Sequence, residues 1–158
     1  MANTYTQIHI HTLFAVQGRQ SLISGKWSDQ LYKYISTVIQ NNGHKMLQIN
    51  GMPDHIHILF GMRPTESLSD LIKEVKQSSS FWINNKKLVA GRFSWQKGYG
   101  AFSHSKSELP NVIEYIQKQK EHHGMFSFRQ EYIELLKSHQ IEFNDRYIFQ
   151  DVEWGEEE

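Results

Sequence analysis

The chain has 158 residues, with 17 basic and 17 acidic side chains, 39% hydrophobic and 13% aromatic residues, and no cysteine. That composition excludes disorder as the general state, and the length suffices for one domain with its own core. The missing cysteines exclude disulfide scaffolds, zinc ribbons, thiol nucleophiles and Cys-ligated zinc chemistry. No apolar run approaches the roughly 18–20 residues of a membrane helix. The opening Met1-Ala2-Asn3-Thr4 has neither the basic nor the apolar region of a secretory leader, so the expectation is a cytoplasmic protein with no membrane partner. The neutral total hides an asymmetry. Residues 142–158 carry seven acids against one base, which leaves a net charge of +6 over residues 1–141. Residues 63–97 hold seven bases against three acids. A polyanion partner is allowed by this distribution, although charge alone favours a solvated helix face.

In chain order, residues Thr4–Val16 alternate loosely and are rich in Ile, Thr, Phe and Val, which predicts a strand. Ser28 is placed to cap a helix running to about Gln40, with Leu31, Tyr34, Ile35, Val38 and Ile39 on one face and Asn41-Asn42-Gly43 as its stop. Lys45–Met52 and His55–Met62 read as a hairpin turning at Pro53-Asp54. Leu68, Leu71, Ile72 and Val75 give helical spacing across Glu66–Leu88. Phe93–Ser103 reads as a fourth strand. A helix opened by Ser107 or Asn111 runs to about His122, another covers Phe128–His139, and Arg146–Val152 forms a short strand or ordered tail. The order is that of an α+β, ferredoxin-like split βαβ fold. It implies an antiparallel sheet with helices on one face plus a C-terminal catalytic helix. Residues 1–143 form the domain and residues 144–158 an acidic tail.

Two segments carry chemistry. In a strand, side chains two apart share a face, so His55 and His57 project together while Ile56 and Ile58 go to the other side. Paired imidazoles on one pleated face are natural metal ligands, and the same spacing also fits two surface histidines. His9 and His11 repeat it in the first strand, which leaves open an all-His site joining His9, His11, His55 and His57, with hydrolase chemistry. On a helix, Tyr115 and Gln119 stand one turn apart on one face, with Val112, Ile113 and Ile116 on the buried side. That pattern also describes a rim tyrosine beside a solvated amide.

Taken together, and with Asn50-Gly51-Met52-Pro53-Asp54-His55-Ile56-His57, Trp95-Gln96-Lys97-Gly98-Tyr99-Gly100 and Tyr115-Ile116-Gln117-Lys118-Gln119 in order, the chain resembles the HUH-motif, Y1-type transposases of the insertion-sequence 200/605 group and their REP-associated relatives. The resemblance spans about residues 4–140. It implies a DNA transposase that cleaves and rejoins single-stranded DNA at hairpin-marked element ends through a 5′-phosphotyrosine. Tyr115 is then the nucleophile, and His55, His57 and Gln119 hold Mg²⁺ or Mn²⁺. It further implies a homodimer with active sites shared between subunits, and leaves His9 and His11 as sheet residues outside the family pattern. Gln17 departs from the basic residue common at that point in relatives. Lys73, Lys76, Arg92 and Lys97 are the candidate phosphate contacts, with Trp95, Tyr99 and Phe102 either stacking on bases or packing in the core. The alternative is a catalytically inactive or domesticated DNA-hairpin-binding dimer.

Overall fold

The computed structural model describes residues 3–122 and 127–144. Strand β1 (His9–Ala15) leads through a loop into helix α1 (Ser28–Asn41), then β2 (Lys45–Met52), β3 (His55–Gly61), α2 (Leu68–Asn85) and β4 (Gly100–His104). Three helices follow: α3 (Leu109–Gln117), α4 (Gln119–His122) and α5 (Phe128–Ser138). The strands form one antiparallel sheet in the order β2-β3-β1-β4. This is the expected α+β, split β-α-β arrangement, in which β3 sits between β1 and β2.

Strand alternation sorts the side chains onto two faces that do different things. Phe14, Ile56, Ile58 and Phe60 point to one face, against Leu31, Ile35 and Ile39 of α1 and Leu71, Ile72, Val75 and Ile83 of α2. This is the main core. His55 and His57 point the other way, where Leu13, Ala15 and Phe102 meet Phe128, Tyr132 and Leu136 of α5 in a second apolar cluster. The helices therefore cover both faces, and α5 extends the expected picture of one helical face with a catalytic helix added. Among the described residues, no helix is long and apolar enough to cross a membrane.

Local differences from the sequence reading have physical causes. The fourth strand is short because Lys76 Nζ donates to the carbonyls of Gln96 at 2.9 Å and Gly98 at 2.6 Å, and Gly98 turns the chain at φ +86°. Among the described residues, 93–99 pair with the sheet through one isolated bridge, Val16 to Trp95. Trp95 and Phe102 are core residues, 8% and 3% exposed. Trp95 stands edge-on to Phe14 and Phe93 and donates its indole N–H to Ser79 Oγ at 2.9 Å. The helix expected to run unbroken to His122 is interrupted at Lys118, whose φ/ψ of −94°/19° is not helical. The strand or tail read over Arg146–Val152 lies outside the described residues.

Candidate active site

His55 and His57 enter the site from β3, a central strand, and both side chains are fully buried. In each ring Nδ1 is engaged by a neighbour: His55 Nδ1 lies 2.6 Å from Asp54 Oδ1, and His57 Nδ1 lies 2.8 Å from His11 Nε2. Both Nε2 atoms therefore turn inward, toward one carboxylate. Glu131 Oε1 is 2.8 Å from His57 Nε2 and 3.6 Å from His55 Nε2. Burial pushes the His55 imidazole down to about 4, against the opposing pull of the Asp54 bond. That ring is neutral near pH 7, the form a metal requires.

Glu131 was not among the residues singled out in the sequence. It stands on α5, where Phe128, Glu131 and Tyr132 occupy one helical face at i, i+3 and i+4. A capping box starts the helix: Ser127 Oγ accepts from Gln130 N at 3.2 Å and Ser127 N donates to Gln130 Oε1 at 2.9 Å. The Phe128 ring then stacks on His55 at 4.3 Å between centroids. The available signal was a carboxylate set inside an otherwise apolar stripe, since a buried acid is rare unless partnered.

Tyr115 and Gln119 converge on the same carboxylate. The Tyr115 hydroxyl donates to Glu131 Oε2, and Gln119 Nε2 donates to that oxygen at 3.1 Å. Gln119 Oε1 lies 3.4 Å from His55 Nε2 and the residue is fully buried. Because the helix breaks at Lys118, Gln119 opens α4 rather than continuing α3, yet it still reaches the site. The Tyr115 helix is fastened by β2: Asn50 Nδ2 donates to the carbonyls of Ile116 at 3.0 Å and Gln117 at 3.2 Å. Asn50 is the cross-strand partner of His57, so the strand that flanks this histidine also docks the tyrosine. Burial and the facing Glu131 push the Tyr115 hydroxyl far above its ordinary range. All these side chains meet within a single chain.

The donor set fits a divalent cation. His55, His57 and Glu131 each offer a ligand atom within 4.8 Å of the others, and they form the one such group among the described residues. Two imidazoles and a carboxylate, with the Gln119 amide beside them, are a nitrogen–oxygen set of the kind that binds Mn²⁺, Fe²⁺ or Zn²⁺, and Mg²⁺ more weakly. Glu131 would add a carboxylate to the expected set of His55, His57 and Gln119. His9 and His11 do not complete a four-histidine site. His11 hydrogen-bonds His57 rather than facing Glu131, and among the described residues His9 Nδ1 is buried without a hydrogen-bond partner.

A cavity of about 220 Å³ opens beside Tyr115, lined by His11, His104, Glu108, Asn111, Val112 and Leu135. The candidate phosphate contacts lie elsewhere. Arg92 is exposed between two clefts, one of about 680 Å³ shared with Phe81 and Lys87 and one of about 380 Å³ shared with Gln17 and Ser94. Lys73 and Lys97 are exposed, whereas Lys76 is engaged with the Gln96 and Gly98 carbonyls. Residues 75–107 contain six bases and no acid.

An antiparallel α+β sheet that carries a buried His–x–His pair, with a tyrosine and an amide brought to it by a following helix segment, defines the class to which known proteins can be compared. The family profile described as "Transposase IS200 like" matches residues 4–119, and the chain belongs to that family. It is similar to ISDra2 transposase TnpA of Deinococcus radiodurans, 24% identical over 118 residues that cover 72% of this chain and 84% of that protein. The fold is also that of a crystal structure of a Deinococcus radiodurans R1 protein described as a transposase, with a TM-score of 0.59 at 21% identity over 75% of this chain and 95% of that one. A REP-associated tyrosine transposase bound to a REP hairpin has the same fold, with a TM-score of 0.60 at 14% identity over 80% of this chain and 74% of that one. The family match ends at Gln119, so Glu131 lies beyond it.

Proposed function

We propose that this chain cleaves and rejoins single-stranded DNA at hairpin-marked ends, with Tyr115 as the nucleophile and a divalent cation, Mg²⁺ or Mn²⁺, held by His55, His57, Glu131 and Gln119. The observation that carries this reading is the convergence of the Tyr115 hydroxyl and the Gln119 amide on the carboxylate that faces both histidine Nε2 atoms. When bound, the cation supplies positive charge for the phosphate oxygens and fixes an in-line geometry.

The residues of the chain do the rest. Tyr115 Oη forms a bond to the scissile phosphorus as the P–O3′ bond breaks, and the departing 3′ oxygen takes a proton to become a hydroxyl. The product is a 5′-phosphotyrosine that keeps the energy of the phosphodiester, and attack by another 3′-hydroxyl reverses it. Tyrosine is a weak nucleophile at neutral pH because its reference pKa is about 10. Glu131 Oε2, which already accepts the Tyr115 hydrogen bond, is placed to receive its proton. Residues 1–143 are the catalytic unit. Lys73, Arg92 and Lys97, all exposed, contribute phosphate contacts. The Tyr115, Gln119, His55, His57 and Glu131 side chains lie together in one chain, which supports a homodimer whose sites are each built within a subunit.

Covalent capture tests the reading. With Mn²⁺ and single-stranded oligonucleotides from its flanking genomic sequence, the wild type gives a denaturation-resistant adduct mapped to Tyr115 by mass spectrometry. Tyr115→Phe gives none and still binds the hairpin. Tight hairpin binding by the wild type without any adduct makes the protein a DNA-hairpin-binding module instead.

A further inference from the structure

Within the metal reading above, we propose that His11 is a positioning residue: it fixes the tautomer and the ring plane with which His57 presents Nε2 to the cation. His11 lies opposite Leu59 on β3, and His57 lies opposite Leu13 on β1, so the two histidines are diagonal neighbours on one face of the sheet. Both are buried, at 1% and 0% exposure. Their rings stack at 5.1 Å with 24° between planes, and His11 Nε2 is 2.8 Å from His57 Nδ1.

That bond needs one N–H and one lone pair, so the tautomer of either ring dictates the other. Glu131 Oε1 lies 2.8 Å from His57 Nε2, and in one tautomer that nitrogen donates to it. With one proton per ring, His57 Nδ1 then accepts from His11 Nε2–H. Ligation through Nε2 requires the opposite arrangement. His57 carries its proton on Nδ1 and donates, and His11 accepts on Nε2 with its own proton on Nδ1. Each ring keeps one proton and the hydrogen bond reverses direction.

An imidazole can serve both states because it has a donor and an acceptor form, whereas an apolar side chain serves neither. The contrast with His55 supports this assignment. The neighbour of His55 Nδ1 is a carboxylate, Asp54, which only accepts when ionised and so favours the tautomer that carries its proton on Nδ1. Outer partners of this kind typically change metal affinity by about 10–100-fold when removed.

The test uses the full chain and the bare ion. Long-range ¹⁵N spectra of histidine-labelled protein are recorded with and without saturating Mg²⁺. Both His57 and His11 are expected to switch from Nε2–H to Nδ1–H. Mn²⁺ affinity, read by electron paramagnetic resonance, is expected to fall about tenfold or more in His11→Leu. In His11→Gln, whose amide can accept from or donate to His57, it is expected to stay within about threefold of wild type. Thermal unfolding of both variants separates loss of fold from loss of the bond. If His57 fails to respond to the cation in the wild type, the metal reading fails and this inference with it. If His57 responds while His11 keeps its tautomer, or if a folded His11→Leu binds Mn²⁺ like wild type, the positioning role alone is overturned.

Discussion

Glu131 is asked to do several things at once. One oxygen faces the two histidines, and the other accepts hydrogen bonds from Tyr115 and Gln119. Its negative charge beside the Tyr115 hydroxyl raises that group's pKa, after the larger effect of burial. Glu131→Gln keeps the shape and removes the charge, which gives two expectations of known sign. Mn²⁺ affinity falls by about tenfold or more, because an anionic ligand has been replaced by a neutral one. The Tyr115 pKa moves down, since the charge opposing tyrosinate is gone, but stays above its ordinary value because burial persists. Metal titration checks the first, and tyrosinate absorbance against pH, with Tyr115→Phe as the blank, checks the second. An unchanged Mn²⁺ affinity removes Glu131 from the ligand set.

Helix α5 sets where that carboxylate lies, and its seat on the sheet is tight. A Cβ at Gly100 of β4 would lie 2.4 Å from Cε2 of Tyr132, the residue after Glu131. Gly100→Ala therefore drives Tyr132 off the sheet and carries Glu131 with it, at a cost of about 1–3 kcal/mol for an overpacked contact. Denaturant unfolding shows the loss of stability, and a matching drop in Mn²⁺ affinity shows that the helix and the site move together. Ser79→Ala is the comparison from the opposite face. It leaves the buried Trp95 N–H without its acceptor and costs roughly 1–3 kcal/mol, but no element of the site rests on it, so metal affinity is expected to hold. Equal loss of metal affinity in both variants means that the two faces of the sheet are not independent.

For the whole molecule, the question is whose tyrosine serves which histidines. The sharing between subunits implied by the family resemblance is one way to assemble the site. Here Asn50 of β2 holds the end of α3 against the sheet of its own chain, and Tyr115 reaches its own Glu131. Mixing Tyr115→Phe chains with His57→Ala chains is therefore expected to restore no adduct formation. Recovery of cleavage in the mixture, measured by the same covalent capture, places the working tyrosine on the partner subunit.

Sequence alone determined the elements whose logic is local. The strand period of two placed His55 and His57 on one face because alternation is a property of the strand itself. The order of strands and helices implied the split β-α-β sheet for the same reason, since hairpins and crossovers follow from chain connectivity. The spacing of Tyr115 and Gln119 was legible too, although the break at Lys118 was not. Three features waited for tertiary structure. Glu131 joins His57 from 74 residues away along the chain, through the packing of Phe128 and Tyr132 on the sheet. The role of His11 depends on the β1–β3 register, because the His-x-His spacing it shares with His9 is identical to that of the ligand pair. The seat of Tyr115 beside the histidines depends on where Asn50 meets the end of α3. Each of these is set by long-range burial and register, which no local periodicity encodes.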